Sequence, residues 1–116
     1  MSDIFDKEAL LDRIDNDMEF LAETVEMLEE DGPDLLGQMR SAVDASDCEA
    51  LAVAAHTYKG MVANFCADST AEAALQLETM GKGGDLAGAA EALAVLEDRS
   101  RQLATALQEL LQGGNE

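Results

Sequence analysis

The stretch DMEFLAETVEMLEEDGPDLLGQMRSAVD, residues 17–44, decides the fold. Its apolar residues recur at intervals of three and four, the spacing that places side chains on one face of a helix. These residues are Met18, Leu21, Val25, Leu28, Leu35, Met39 and Val43. Pro33 follows Gly32 in the middle, and proline normally divides a helix because it removes a backbone donor and clashes with the preceding turn. The stripe nevertheless keeps its phase, with Leu28 and Leu35 one heptad apart, so we predict one long, kinked helix.

A polar turn over 44–47 follows, and Asp47 at its end is a suitable N-cap for the next long helix. The apolar stripe of that helix consists of Leu51, Ala55, Tyr58, Val62 and Phe65. Ser69-Thr70-Ala71-Glu72 then has the pattern of a capping box and is predicted to open a further helix. On that helix Ala71, Leu75 and Glu78 share one face, and the run Gly81-Lys82-Gly83-Gly84 ends it.

The last helix is expected to begin at Asp85 as N-cap and to stop at Gly113-Gly114. Its stripe consists of Leu86, Ala89, Leu93, Leu96, Ser100, Leu103, Leu107 and Leu110. At the other end of the chain, residues 3–14 suit a short helix capped by Ser2 or Asp3. Its apolar residues are Phe5, Leu10, Leu11 and Ile14.

Long helices joined by short turns pack as antiparallel neighbours. The prediction is therefore an all-α protein, an up-down antiparallel four-helix bundle with a short extra N-terminal helix. Residues 1–116 form a single domain in this prediction, with the core bundle over about 17–112. The composition agrees, since aromatic residues are only 3% of the chain and helix-favouring residues dominate.

The net charge and the apolar pattern of the chain argue against several classes of function. Among 116 residues there are 25 Asp or Glu against 7 Lys or Arg, a formal net charge of −18. Nucleic-acid binding is not expected, because it needs a basic patch. A membrane protein is not expected either, since no apolar run approaches the roughly 20 residues of a bilayer span. Without a signal-peptide pattern at the N-terminus, we expect a cytoplasmic protein whose Cys48 and Cys66 are reduced packing residues.

His56 is the single histidine of the chain. At about 100° per residue it lies near 140° from Leu51, so its ring points away from the core stripe. Its neighbours on the helix surface are Ala52, Lys59, Gly60 and Ala63. Such a surface of small side chains lets another protein come very close. Residues 50–67 also contain no Asp or Glu, so a phosphate would meet less repulsion there.

Gly60 and Glu78 strengthen this reading of the surface. A glycine inside a helix costs roughly 1 kcal/mol relative to alanine and usually has a packing or approach reason. Glu78 would accept a hydrogen bond from Nδ1 of His56, and so leave Nε2 as the nucleophile, if its face met the preceding helix. Each residue also has an ordinary explanation as surface histidine, solvated lysine, packing glycine or exposed acid. Their combination at fixed spacing is what favours a site.

A metal centre is not predicted. Asp15, Asp17, Glu19 and Glu26 have the spacing of an EF-hand loop, but Phe20 stands where the loop needs glycine. The run over 81–84 lacks the spacing of a nucleotide-binding P-loop, so binding of ATP is not expected.

The run AHTYKGMVANFCA, residues 55–67, resembles the signature of histidine phosphotransfer (HPt) domains: a phospho-accepting histidine, an apolar residue, Lys-Gly, and later Gly-Ala. The resemblance extends over nearly the whole chain. It implies that His56 is phosphorylated at Nε2, that Lys59 steadies the phosphoryl group and that a partner closely approaches Gly60. Glu78 matches the position of a residue that often orients the histidine. The departures are Cys66 at a usual glycine and Tyr58 at a usual leucine.

The function implied is that of a phosphorelay intermediate. A receiver domain of a response regulator or hybrid kinase would pass its aspartyl phosphate to His56, with Ala52, Gly60 and Ala63 in the docking surface, and another receiver would take it away. The protein is expected to be a monomer without cofactor or kinase activity, the receiver supplying Mg²⁺. The alternative is an acidic four-helix adaptor that docks a basic partner and never carries phosphate. Its acidic surface would come mainly from residues 1–50, which hold 16 of the acidic residues and 3 of the basic ones.

Overall fold

The computed structural model describes residues 4–113, which form five α-helices and contain no β-strand. The helices are α1 (Lys7–Arg13), α2 (Met18–Ala45), α3 (Cys48–Ala63), α4 (Asp68–Gly83) and α5 (Ala89–Leu111). Helix α2 packs on α3 and α5, and α4 packs on the same two helices, so α2 to α5 close into a bundle. The predicted four-helix bundle with a short extra N-terminal helix is confirmed.

Helix α2 runs without interruption through Pro33, as the phase of its stripe predicts. Asp17 caps its start by accepting a hydrogen bond from the backbone N–H of Phe20, and Ser46 ends it in a left-handed conformation with φ 56°. The buried face consists of Leu21, Val25, Leu28, Gly32, Met39 and Ala42. Met18 was expected on this face but is 38% exposed, because it lies in the first turn of the helix at the end of the bundle.

Three predicted helix starts are wrong, and in each case other contacts decide the boundary. Helix α1 begins at Lys7, where Asp6 caps it by accepting from the N–H of Ala9, while the N–H of Asp6 itself donates to the Cys66 carbonyl. The predicted caps Ser2 and Asp3 lie outside the described residues.

Helix α4 begins one residue before the predicted capping box, at Asp68, and no side chain caps it. Thr70 of that box is fully buried, and the carbonyl of Ser69 accepts a hydrogen bond from Arg99 of α5. These two contacts hold the first turn of α4 against the bundle.

Helix α5 begins at Ala89. The prediction, with Asp85 as the N-cap, places the start directly after Asp85 and is wrong. Asp85 instead accepts a hydrogen bond from the N–H of Ala87, which forms a turn. Gly88 closes this turn with φ 83°, a left-handed conformation that glycine adopts readily, and the helix follows directly. Leu86 consequently lies before the helix and is only half-buried.

The core is built mainly from leucine and alanine, in keeping with the small aromatic content. Tyr58 is an exception: its ring is buried and its hydroxyl donates to Oγ of Ser100 at 2.6 Å. Burial of the phenol raises its pKa, and this hydrogen bond partly opposes the rise. Cys48 and Cys66 are not joined by a disulfide. Within residues 4–113, no helix combines the length and the apolar character needed to cross a bilayer.

Candidate functional site

Helix α3 holds His56 on the side opposite its core stripe. Leu51, Ala55 and Tyr58 of that stripe are at most 2% exposed, whereas the side chain of His56 is 66% exposed. Asp47 fixes the start of the helix by accepting from the N–H of Ala50. The imidazole therefore stands on a rigid element and faces solvent, in the direction expected from helical geometry.

Glu78 of α4 lies beside the ring. Its carboxylate is almost completely buried, and Oε2 is 2.9 Å from Nδ1 of His56. The expected contact between these residues is present, but the predicted face of α4 is partly wrong. Leu75 is 45% exposed, whereas the residues that face the core are Thr70, Ala73, Ala74, Leu77, Glu78 and Gly81.

Gly81 sets the spacing between α3 and α4. A Cβ atom at this position would lie 2.6 Å from the carbonyl oxygen of Cys48 and 2.8 Å from the backbone nitrogen of Ala52. Any side chain would thus push the two backbones apart. The absence of a side chain lets α4 approach α3 closely, which brings the carboxylate of Glu78, one turn earlier, within reach of His56. The sequence pattern by itself indicates Gly81 only as part of the run that ends the helix.

Two lysines share the Glu78 carboxylate with His56. Nζ of Lys59 is 2.9 Å from Oε1, and Nζ of Lys82 is 2.9 Å from Oε2, the oxygen that also contacts the imidazole. Lys59 was singled out from the sequence, whereas Lys82 was not. Its position four residues after Glu78, a spacing that places oppositely charged side chains side by side on a helix, is the signal that predicts this pair.

These contacts determine the protonation of the site. The pKa of Glu78 is lowered to about 2, first by Lys59, then by Lys82 and, to a smaller extent, by His56, against the opposing effect of burial. At neutral pH the carboxylate is therefore ionised and only accepts hydrogen bonds. Nδ1 of His56 must then be the protonated nitrogen, which leaves the lone pair of the neutral ring on Nε2.

The surface around His56 consists of small residues. Gly60 and Ala63 are exposed and Ala52 is half-buried. A Cβ atom at Gly60 would meet nothing within 4 Å, so close packing inside this protein does not explain the glycine. Farther along α3 an apolar groove of about 370 Å³ opens between α1, α2 and α3. Its lining includes Phe20 and Met27, which are 50% and 58% exposed.

The geometry brings His56, Lys59 and Glu78 together and leaves Ala52, Gly60 and Ala63 beside them. Among the residues that the structure describes, no cluster of three or more metal-ligating side chains occurs. The arrangement holds an exposed imidazole whose Nδ1 is bonded to Glu78 and whose Nε2 is left as the nucleophile, with two lysines on the same carboxylate. Such a nitrogen is suited to attack on an electrophilic phosphorus atom.

Comparison with known proteins agrees with this chemistry. Residues 23–113 match the Hpt domain family, and the chain belongs to this family. Proteins of this family are phosphoryl carriers rather than kinases and interact with receiver domains in phosphorelays.

The crystal structure of histidine-containing phosphotransfer protein B (HptB) from Pseudomonas aeruginosa PAO1 is similar, with a TM-score of 0.88 and 20% identity. The match covers 97% of each chain, and at this identity it establishes the fold alone. No curated protein sequence matches the chain.

Proposed function

We propose that Nε2 of His56 accepts a phosphoryl group from the phosphorylated aspartate of one receiver domain and later passes it to another. The single observation that carries this proposal is the hydrogen bond between Nδ1 of His56 and the ionised, buried carboxylate of Glu78. It fixes the tautomer and directs the nucleophilic nitrogen to solvent, where a partner protein has access.

The transfer step balances without a proton acceptor. The lone pair of Nε2 forms the new P–N bond, the P–O bond to the aspartate breaks, and the aspartate leaves with the electron pair as a carboxylate. The ring keeps its Nδ1 proton and becomes positively charged. The negative Glu78 beside it stabilises this charge, as the aspartate of a serine-protease triad does for its imidazolium. Release to the second receiver reverses the same steps.

The neighbouring residues have separate roles in this proposal. Lys59 neutralises part of the phosphoryl charge, and Ala52, Gly60 and Ala63 form the surface on which the receiver docks. The receiver supplies Mg²⁺, which offsets the phosphate charge during transfer. The exposed apolar side chains of Phe20 and Met27 extend the docking surface beyond the histidine, because burial of apolar area stabilises a complex.

We further propose a monomeric carrier that works in the cytoplasm and binds neither nucleic acid nor membrane. The net charge of −18 supports the last two points, since both surfaces are usually anionic.

The test is transfer from a panel of labelled, Mg²⁺-loaded receiver domains to the purified protein. We expect acid-labile, alkali-stable label on the wild type and none on His56→Gln. Helical content should be equal in the two proteins, because His56 is exposed and lies outside the core. Label on His56→Gln would refute the assignment. A folded wild type that binds a receiver but takes no label would favour the adaptor function, for which the acidic residues of 1–50 provide the surface.

A further inference from the structure

Lys82 has no role in the mechanism above, although it is part of the same cluster. Its ammonium group contacts Oε2 of Glu78, the oxygen that accepts from Nδ1 of His56, whereas Lys59 contacts Oε1. The side chain of Lys82 is 69% exposed and that of Lys59 is 30% exposed. The buried carboxylate therefore has one cation on each oxygen.

In the proposed mechanism Lys59 has two anions to neutralise. In the resting protein it is paired with Glu78, but the transfer mechanism needs its charge at the phosphoryl group on Nε2, the ring nitrogen that faces away from Glu78. When Lys59 turns to the phosphoryl group, Oε1 loses its partner. If Lys82 were absent as well, only the imidazole ring would remain beside the carboxylate, and a buried carboxylate takes up a proton more readily as its cations are removed. A protonated Glu78 would stabilise the ring charge less and would hold the tautomer less firmly.

We propose that Lys82 is a positioning residue, which keeps Glu78 ionised and in place against His56 when Lys59 moves to the phosphoryl group. This inference rests on the proposed function. Lys82 also balances the charges of the phosphorylated site. Two lysines and the ring cation then carry three positive charges, and the Glu78 carboxylate and the phosphoryl dianion carry three negative charges. Without Lys82 the same site would carry one uncompensated negative charge.

The test compares Lys82→Met, which removes the charge but keeps most of the stem, with Lys82→Arg and with Lys7→Met. Lys7 is an exposed lysine on α1, so its removal changes the net charge equally without touching the site. We expect Lys82→Met to slow transfer about two- to fivefold, the range for an exposed ion pair. Lys82→Arg should restore the rate, and Lys7→Met should leave it unchanged.

A spectroscopic measurement separates this role from a merely structural one and needs no phosphate. In carbon-13 titrations, the pKa of Glu78 should rise above about 2 in Lys82→Met and stay low in the other two variants. Nitrogen-15 spectra of His56 should show a larger share of the Nε2–H tautomer in Lys82→Met alone.

If Lys82→Met transferred phosphate at the wild-type rate and showed an unchanged Glu78 titration, the role of Lys82 would be refuted, while the proposed function would stand. An equal loss of rate in Lys7→Met would also overturn it, because net charge would then explain the effect. Absence of label on the wild type, by contrast, would refute the proposed function itself.

Discussion

Replacement of Gly60 by alanine should make the protein more stable and, at the same time, a poorer phosphate acceptor. Gly60 lies inside α3 with an ordinary helical backbone, four residues after His56, and it is exposed. An added Cβ atom meets nothing within 4 Å, so the substitution introduces no strain in the free protein. The same atom projects into the surface on which we expect the receiver to dock.

Both effects have an expected size. Alanine in place of an exposed helical glycine stabilises a fold by about 0.5–1 kcal/mol. For a chain of this length this corresponds to a rise in the unfolding midpoint of roughly 2–4 °C. Overpacking of a close contact costs about 1–3 kcal/mol, and at the interface this would reduce the transfer kcat/KM by about 5- to 150-fold. Gly60→Leu should reduce it further.

The assay pairs thermal unfolding with transfer kinetics from a receiver that labels the wild type. Gly37→Ala is the matched control, because Gly37 is also an exposed helical glycine with nothing within 4 Å of its added Cβ atom. It lies on α2 in a different groove, between α2 and α5, and away from the groove that contains Phe20 and Met27. Gly37→Ala should therefore gain stability and keep its transfer rate. If Gly60→Ala transfers phosphate as fast as Gly37→Ala, the docking surface does not include Gly60 and our reasoning is refuted.

Two further predictions concern α4. The pKa of Glu78 is lowered from an ordinary 4.5 to about 2. Its ionised form therefore stabilises the fold fully above pH 4.5 and progressively less as the pH falls to about 2. The loss of stability caused by Glu78→Gln in urea unfolding should therefore be largest at neutral pH and shrink over that interval; a loss independent of pH would contradict the ion cluster. Gly81→Ala should destabilise the protein by about 1–3 kcal/mol because its Cβ atom would meet the backbone of α3, whereas Gly83→Ala, with open space around its Cβ atom, should not. Equal midpoints for these two variants would show that α3 and α4 do not approach as closely as described.

The helices themselves were predictable from the sequence because their burial is periodic. Apolar residues that recur at intervals of three and four are visible directly in the sequence. Their constant phase across Pro33 correctly predicted one helix. The helix starts were less predictable. Asp47 caps α3 as expected, but the first turn of α4 has no side-chain cap and is held instead by the burial of Thr70 and by the hydrogen bond that Arg99 donates to the Ser69 carbonyl. Such contacts join residues far apart in the sequence, so local patterns do not reveal them.

The site was predictable to the extent that it lies on one helix. The angle between His56 and the core stripe gave its exposure, and the spacing to Lys59 placed the two on one side. The register between α3 and α4 was not available from the sequence, because it depends on the backbone contact at Gly81. Leu75 lies outside the buried face of α4, which includes Ala74, Leu77 and Gly81, so its predicted place on the core face is wrong.

The two helices supply the site through two short patterns of similar composition. On α3, His56 is followed by Lys59 and Gly60; on α4, Glu78 is followed by Gly81 and Lys82. Each pattern places an ionisable group, a lysine and a glycine within about one helical turn, and so on one side of its helix. The two glycines differ in what occupies the space of the missing side chain. At Gly81 it is the backbone of α3, whereas at Gly60 the space is open, and we propose that a partner fills it. In the proposed function, the orientation of the histidine and the access of a receiver to it therefore both depend on the absence of a side chain, at two positions on two facing helices.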